Sequence, residues 1–232
     1  HEFNSQAIAN TVWAYARVGH SSPELFDKVA MIVLPRLHEF NSQAIANMVW
    51  AYAVFNFPSN VDFGLHSDLI RLIVSSIESF DDKGLRQLHQ WNLWGKERTG
   101  KSVLPLDVAE HCLRVFNSKE GTHSRLENNV ARVLHNMEVC FEVEVQLNSG
   151  YSVDFLVSID QREIAVEVDG PYHFIGQTKN QNGSTRLKHR QIRALDNLTV
   201  VSIPYWEWYA NEENINGDKS KGHVRYLKKL LK

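Results

Sequence analysis

Residues 151–174, YSVDFLVSIDQREIAVEVDGPYHF, read as two adjacent strands. Val153, Phe155 and Val157 alternate with Asp154, Leu156 and Ser158, and Ile164, Val166 and Val168 alternate with Ala165, Glu167 and Asp169. Asp160-Gln161-Arg162 makes the turn between them. Because successive strand side chains point to opposite faces, Glu167 and Asp169 share one face while the three β-branched residues share the core face. Asp154 is expected to meet the two acids across the pair. Three carboxylates near Asp169-Gly170-Pro171, a turn signal at a strand end, form an oxygen-rich patch of the kind magnesium accepts.

The flanks extend the same unit. Ser124-x-x-Glu127 is a capping box that opens a helix carrying Leu126, Val130, Val133, Leu134 and Met137. Phe141, Val143 and Val145 alternate with acids and Gln146 in a first strand, and Asn148-Ser149-Gly150 turns it back. Beyond His173 comes a polar loop over 176–184, then a basic helix over 185–195 bearing Arg186, Lys188, His189, Arg190 and Arg193. Such a helix either holds a phosphate backbone or is a solvated face. A β-branched strand over 199–203 leads to Pro204-Tyr205-Trp206-Glu207-Trp208, where Trp208 suits the core and Tyr205 and Trp206 suit either core or base stacking. A final helix over 223–231 adds Arg225, Lys228 and Lys229.

VDFLV, IAVEVDGPYHF, the basic helix and VVSIPYWEW together resemble the RAP domain of organellar RNA-binding proteins, over residues 120–232. The resemblance implies a restriction-endonuclease-like α/β fold with a mixed sheet of about four strands. It also implies RNA as partner, contacted by Arg186, Lys188, Arg190, Arg193, Tyr205 and Trp206. Nucleases of that fold hold magnesium with an Asp and a Glu, which Asp154 and Glu167 match, and place a Lys two residues after the Glu. Here Asp169 stands at that position, so the cation that would stabilise developing phosphorane charge is absent there. His173 or Lys188 would have to supply it, and Asp169 would become a third metal ligand. Glu127 sits where such nucleases carry an accessory acid, although its capping role explains it locally. Three readings stay open: RNA binding without a cofactor, magnesium-dependent RNA cleavage, and a protein-binding scaffold that makes no RNA contact.

The first half is repetitive. Residues 1–16, HEFNSQAIANTVWAYA, return as residues 38–53 with one difference, Thr11 against Met48, a period of 37 residues. Each copy has helical spacing with an Asn or Ser cap, and a second helix begins at Ser22-Pro23. A helix pair at this period marks an α-solenoid, and residues 80–94 look like a degenerate third copy. The ANxVWAYA core resembles the heptatricopeptide repeats that precede RAP domains, which implies an RNA-tracking array; periodicity alone serves protein partners equally. If each unit reads one base, the differing positions Thr11/Met48 and Arg17/Val54 are the reader candidates. Trp13, Trp50, Tyr15 and Tyr52 suit packing, and Asn10 and Asn47 suit a hydrogen-bonded ladder between units.

Residues 95–102, GKERTGKS, spell a phosphate-binding loop. The preceding run is helical rather than a strand, and Pro105 interrupts the helix that Ser102 should begin, so the match reads as a charged linker. The expected organisation is therefore repeats over 1–94, linker and amphipathic helix over 95–119, and an α/β domain over 120–232. A net charge of −2 and a pI near 6.6 confine any nucleic-acid footprint to a local patch. Two distant cysteines, Cys112 and Cys140, argue for reduced thiols, and no apolar run has membrane-spanning length. The chain opens at His1 inside a repeat, which reads as a segment of a longer protein. The resemblance implies a mitochondrion or plastid.

Overall fold

Three helices start on the same capping geometry. The side chains of Asn4, Asn41 and Asp81 accept from the backbone N–H of Ala7, Ala44 and Gly84 at 2.8, 2.8 and 2.7 Å. Each satisfies a donor that the first helical turn would leave orphaned. The helices they open are α1 (Ser5–Arg17), α3 (Ser42–Phe55) and α5 (Asp82–Thr99), with α2 (Pro23–Val33), α4 (Ser67–Ser75) and α6 (Leu106–Asn117) as partners. The degenerate third copy is thus a helix with the same start as its two predecessors. The computed structural model describes residues 4–56, 63–118, 124–211 and 220–232. Parts of the insertion after Phe55 and of the polar break after Ser118 lie outside them.

Two compact units result: His1–Lys119 with Gln181–Gln191, and Glu120–Asn180 with Ile192–Lys232. In the first, like positions of successive copies meet. Trp13 packs on Trp50 with centroids 6.2 Å apart, Gln87 Nε2 donates to Asn47 Oδ1 at 3.1 Å, and Trp50 Nε1 donates to Gln90 Oε1 at 2.9 Å. Tyr52 reaches back to the preceding pair and donates to the Phe26 carbonyl of α2 at 2.6 Å. The phosphate-loop look-alike is the end of α5: Gly100 takes φ +72 past the last turn and its N–H returns to the Lys96 carbonyl. The chain then folds back on buried Asn92, whose Oδ1 accepts from Ser102 Oγ and from the N–H groups of Val103 and Leu104.

The basic helix α8 (Gly183–Gln191) belongs to this helical unit, whereas the sequence placed it with 120–232. Leu187 is buried in the helical core, and a Cβ at Gly183 would overlap the Ala16 carbonyl at the end of α1. Arg190 closes the end of α3, donating to the Ala53 and Val54 carbonyls at 2.6 and 3.0 Å and to Glu97 of α5 at 2.8 Å. Gln191 Nε2 adds a bond to the Gln90 carbonyl. A cation at a helix C-terminus meets both the unpaired carbonyls and the negative end of the dipole.

The second unit carries α7 (Arg125–Asn136), β1 (Cys140–Gln146), β2 (Ser152–Ile159), β3 (Arg162–Asp169), β4 (Thr199–Pro204), α9 (Tyr205–Ala210) and α10 (Ser220–Leu230). Its sheet runs in the order β1-β2-β3-β4, with antiparallel pairs up to β3 and a parallel pair to β4. The β2–β3 turn is a two-residue one, with Asp160 and Gln161 at φ +49 and +63, a geometry matched to strand twist. Val157, Ile164, Val166, Val168 and Ile203 pack with Leu126, Val130 and Leu134 of α7 and with Leu227. At the edge, β1 is largely exposed, and Val143 at 48% exposure departs from the inward face its alternation suggested.

Candidate nucleic-acid interface and acidic strand end

The register Phe155↔Val166 places Asp154 of β2 across from Glu167 of β3. Asp154 Oδ2 accepts from the Val168 N–H at 2.6 Å, so this carboxylate is held against the strand beside it. Glu167 and Asp169 are buried, at 2% and 0% exposure, on the face opposite Val166 and Val168, and bring carboxylate oxygens within 4.8 Å of one another. Parallel pairing sets Ser202 beside Glu167, and the Ser202 hydroxyl donates to Asp169 Oδ2. On its other oxygen Asp169 pairs with His173 Nδ1 at 2.8 Å, while the His173 side chain stays 41% exposed. Buried carboxylate charge is tolerable here because donors reach it.

As donors for magnesium these groups are right in kind, since the ion prefers hard oxygens. The same groups also build the strand end: Asp154 holds Val168, and Asp169 ties β4 and His173 together.

Aromatic rings gather beyond that end. Phe174 is buried, with Trp206 4.2 Å away at 64° and Tyr205 edge-on to Trp206 at 5.2 Å. Lys179 Nζ lies 6.0 Å from the Trp206 ring centre. Tyr205 and Trp206 are half-buried. Trp208 instead is core, stacked on His223 at 4.0 Å and 6°. Between them Glu207 accepts from Tyr226 Oη at 2.8 Å, and burial together with that carboxylate pushes the Tyr226 phenol well above its usual range. Tyr172 and Lys179 were not among the residues that sequence singled out; a ring directly after Asp-Gly-Pro, which no alternation buries, was the available signal for the first.

The expected cations divide. Arg190 is committed to Glu97 and two carbonyls, so α8 does not offer it to phosphate. Arg186 is exposed, with one long bond of 3.4 Å to the Gly19 carbonyl, and Lys188 is half-buried on the same helix. Arg193, past the end of α8, is exposed and donates to the Val200 carbonyl at 3.1 Å. Among the base-reader candidates Met48 is 1% exposed and cannot touch a base, because α3 is flanked by α1 on one side and α5 on the other. Val54 is half-buried where Gly183 approaches, Thr11 Oγ1 donates to the Ala7 carbonyl, and Arg17 is exposed.

Residues 166–230 match the RAP domain family. Residues 1–92 match the family described as RNA-editing substrate-binding complex 6 protein. The chain is also 30% identical over 128 residues to a RAP domain-containing protein, chloroplastic, of Oryza sativa subsp. japonica. That alignment covers 54% of this chain and 18% of the rice protein. No helix among the described residues is long and apolar enough to cross a membrane.

Proposed function

We propose that this chain binds single-stranded RNA and acts on organellar transcripts, in their processing, stability or translation. The observation that carries the reading is the strand end of the RAP-matching region, where half-exposed Trp206 and Tyr205 stand with the Lys179 ammonium nearby. Rings that stack on bases and a cation that meets phosphate are the two parts of sequence-tolerant binding to a single strand. Exposed Arg193 adds a further cation to the second unit, and exposed Arg17 and Arg186 offer cations on the helical unit of a chain whose net charge is −2. The organelle is suggested by the rice relative, whose name places it in the chloroplast; a plastid or a mitochondrion suits the chemistry equally. The test is retention of a labelled oligoribonucleotide by the purified chain in EDTA, with affinity falling steeply as salt rises. A chain that holds no RNA at physiological salt would remove this reading.

A second reading, magnesium-dependent endoribonuclease, is favoured by Asp154 lying across from Glu167 with Asp169 two residues on. Asp154, Glu167 and Asp169 would hold the ion, which supplies Lewis-acid stabilisation of the phosphate. It predicts cleavage that needs magnesium and is lost in Asp154→Ala or Glu167→Ala; cleavage that persists in both would discard it.

A further inference from the structure

Tyr172 is 91% exposed, the most exposed large apolar side chain among the described residues. It does not sit on a loose loop. It is the middle residue of a single 3-10 turn, Pro171–His173, whose first φ is fixed by the proline ring. The His173 N–H returns to the Gly170 carbonyl at 3.1 Å and the Phe174 N–H to the Pro171 carbonyl at 3.3 Å. Both following side chains are anchored: His173 on fully buried Asp169, which Ser202 also holds, and Phe174 beneath Trp206. The fold therefore spends three anchors to present one phenol ring to solvent. A tyrosine has two side-chain torsions and a broad face, so a ring held by such a turn meets a flat ligand at little entropic cost.

We infer that Tyr172 is the leading base-stacking residue of the second unit, taking one unpaired base of a single-stranded RNA, with the Trp206 ring and the Lys179 ammonium serving a neighbouring base and its phosphate. This rests on the RNA-binding reading above. Single-stranded RNA is the fitting ligand because its bases can be splayed onto an aromatic face, whereas duplex bases are already stacked on each other. Recognition by stacking needs an exposed aromatic face rather than an enclosing pocket, and a ring 91% exposed offers one.

The experiment measures Kd for a short fluorescein-labelled oligouridylate, and for a matched duplex, by anisotropy on the full chain in EDTA at fixed salt. Tyr172→Ala is expected to weaken single-strand binding about tenfold or more, while Tyr172→Phe, which keeps the ring, binds as the unsubstituted chain does. The slope of affinity against salt should be unchanged in Tyr172→Ala, since no phosphate contact is lost. Equal single-strand affinity in the unsubstituted chain and Tyr172→Ala overturns the inference and leaves the RNA-binding reading standing. Tyr172→Phe binding as poorly as Tyr172→Ala also overturns it, in favour of a hydroxyl contact. An unsubstituted chain that retains no RNA overturns both.

Discussion

Helices α1 and α3 are near-identical in sequence and live in different surroundings. Along α3 every residue from Ala44 to Ala53 is buried, while in α1 the corresponding stretch alternates between buried, half-buried and exposed. Asn47 bonds across the stack to Gln87, whereas Asn10 accepts from Gln6 on its own helix. Trp50 is 4% exposed and donates to Gln90; Trp13 is half-buried, with one face on Trp50 and Lys83 5.8 Å from its ring. Caps and periodicity, which are local, come out alike in both copies. Burial does not, because it is set by whichever helix stands alongside. A repeat therefore encodes a shape that stacks, and position in the stack decides what each identical side chain does.

The sharpest way to break the equivalence is a charge at the one position that differs within the sixteen-residue repeat. Met48→Lys should cost more than about 4 kcal/mol and abolish cooperative folding of the helical unit, since it buries an unpaired ammonium among apolar neighbours. Thr11→Lys, on a half-buried surface, should stay within about 1 kcal/mol. Urea unfolding followed by far-ultraviolet circular dichroism checks both, and similar losses at the two sites would mean that α1 is as enclosed as α3. Next come the tryptophans: Trp50→Ala should cost about 3–5 kcal/mol, and Trp13→Ala clearly less, because part of its ring is already hydrated.

The features legible beforehand divide in the same way. Helix starts and the strand pair rest on local pattern, so Asn41, the β2–β3 turn and the alternation through Val166 and Val168 announced them, whereas the mixed sheet was expected only from the resemblance. The placement of Asp154 across from Glu167 was legible too, because antiparallel register fixes it. Met48 as a base reader was not refuted by any local feature; only the flanking helices bury it. Arg190 looked like a phosphate contact because a basic helix has the same sequence whether its cations meet RNA or the carbonyl ends of other helices. Nothing in the residues around Arg190 names Glu97 as its partner.

The ends of the twin helices sharpen the comparison further. At the end of α3, Arg190 is about three-quarters buried, bonded to Glu97 and two carbonyls, with side-chain exposures of 26% and 12% for the pair. Past the end of α1, exposed Arg186 donates to the Gly19 carbonyl at 3.4 Å. Removing Arg190 leaves a mostly buried carboxylate and orphaned carbonyls, so Arg190→Ala should lower stability by about 2–4 kcal/mol. Arg186→Ala should cost less than about 0.5 kcal/mol. If RNA affinity of the folded Arg190→Ala chain matches that of the unsubstituted one, the residue is structural; a loss of affinity at unchanged stability would return it to the interface.

The smallest effect separates Tyr52 from Tyr15. Tyr52 Oη donates to the Phe26 carbonyl from a buried site, whereas the Tyr15 ring lies half-buried, edge-on to His20. Tyr52→Phe should therefore cost about 1 kcal/mol, the net worth of one hydrogen bond plus an unpaired acceptor, and Tyr15→Phe close to nothing. Burial raises the Tyr52 phenol far above its ordinary value of about 10, so its proton is held more tightly folded than unfolded. The stabilisation linked to that proton is complete below about pH 10 and declines as the pH climbs beyond it, at up to about 1.4 kcal/mol per pH unit. Unfolding midpoints measured between neutral pH and pH 11 should thus fall less steeply in Tyr52→Phe than in the unsubstituted chain. Parallel curves would show that the phenol ionises without unfolding α3, and that its burial is shallower than its neighbours imply.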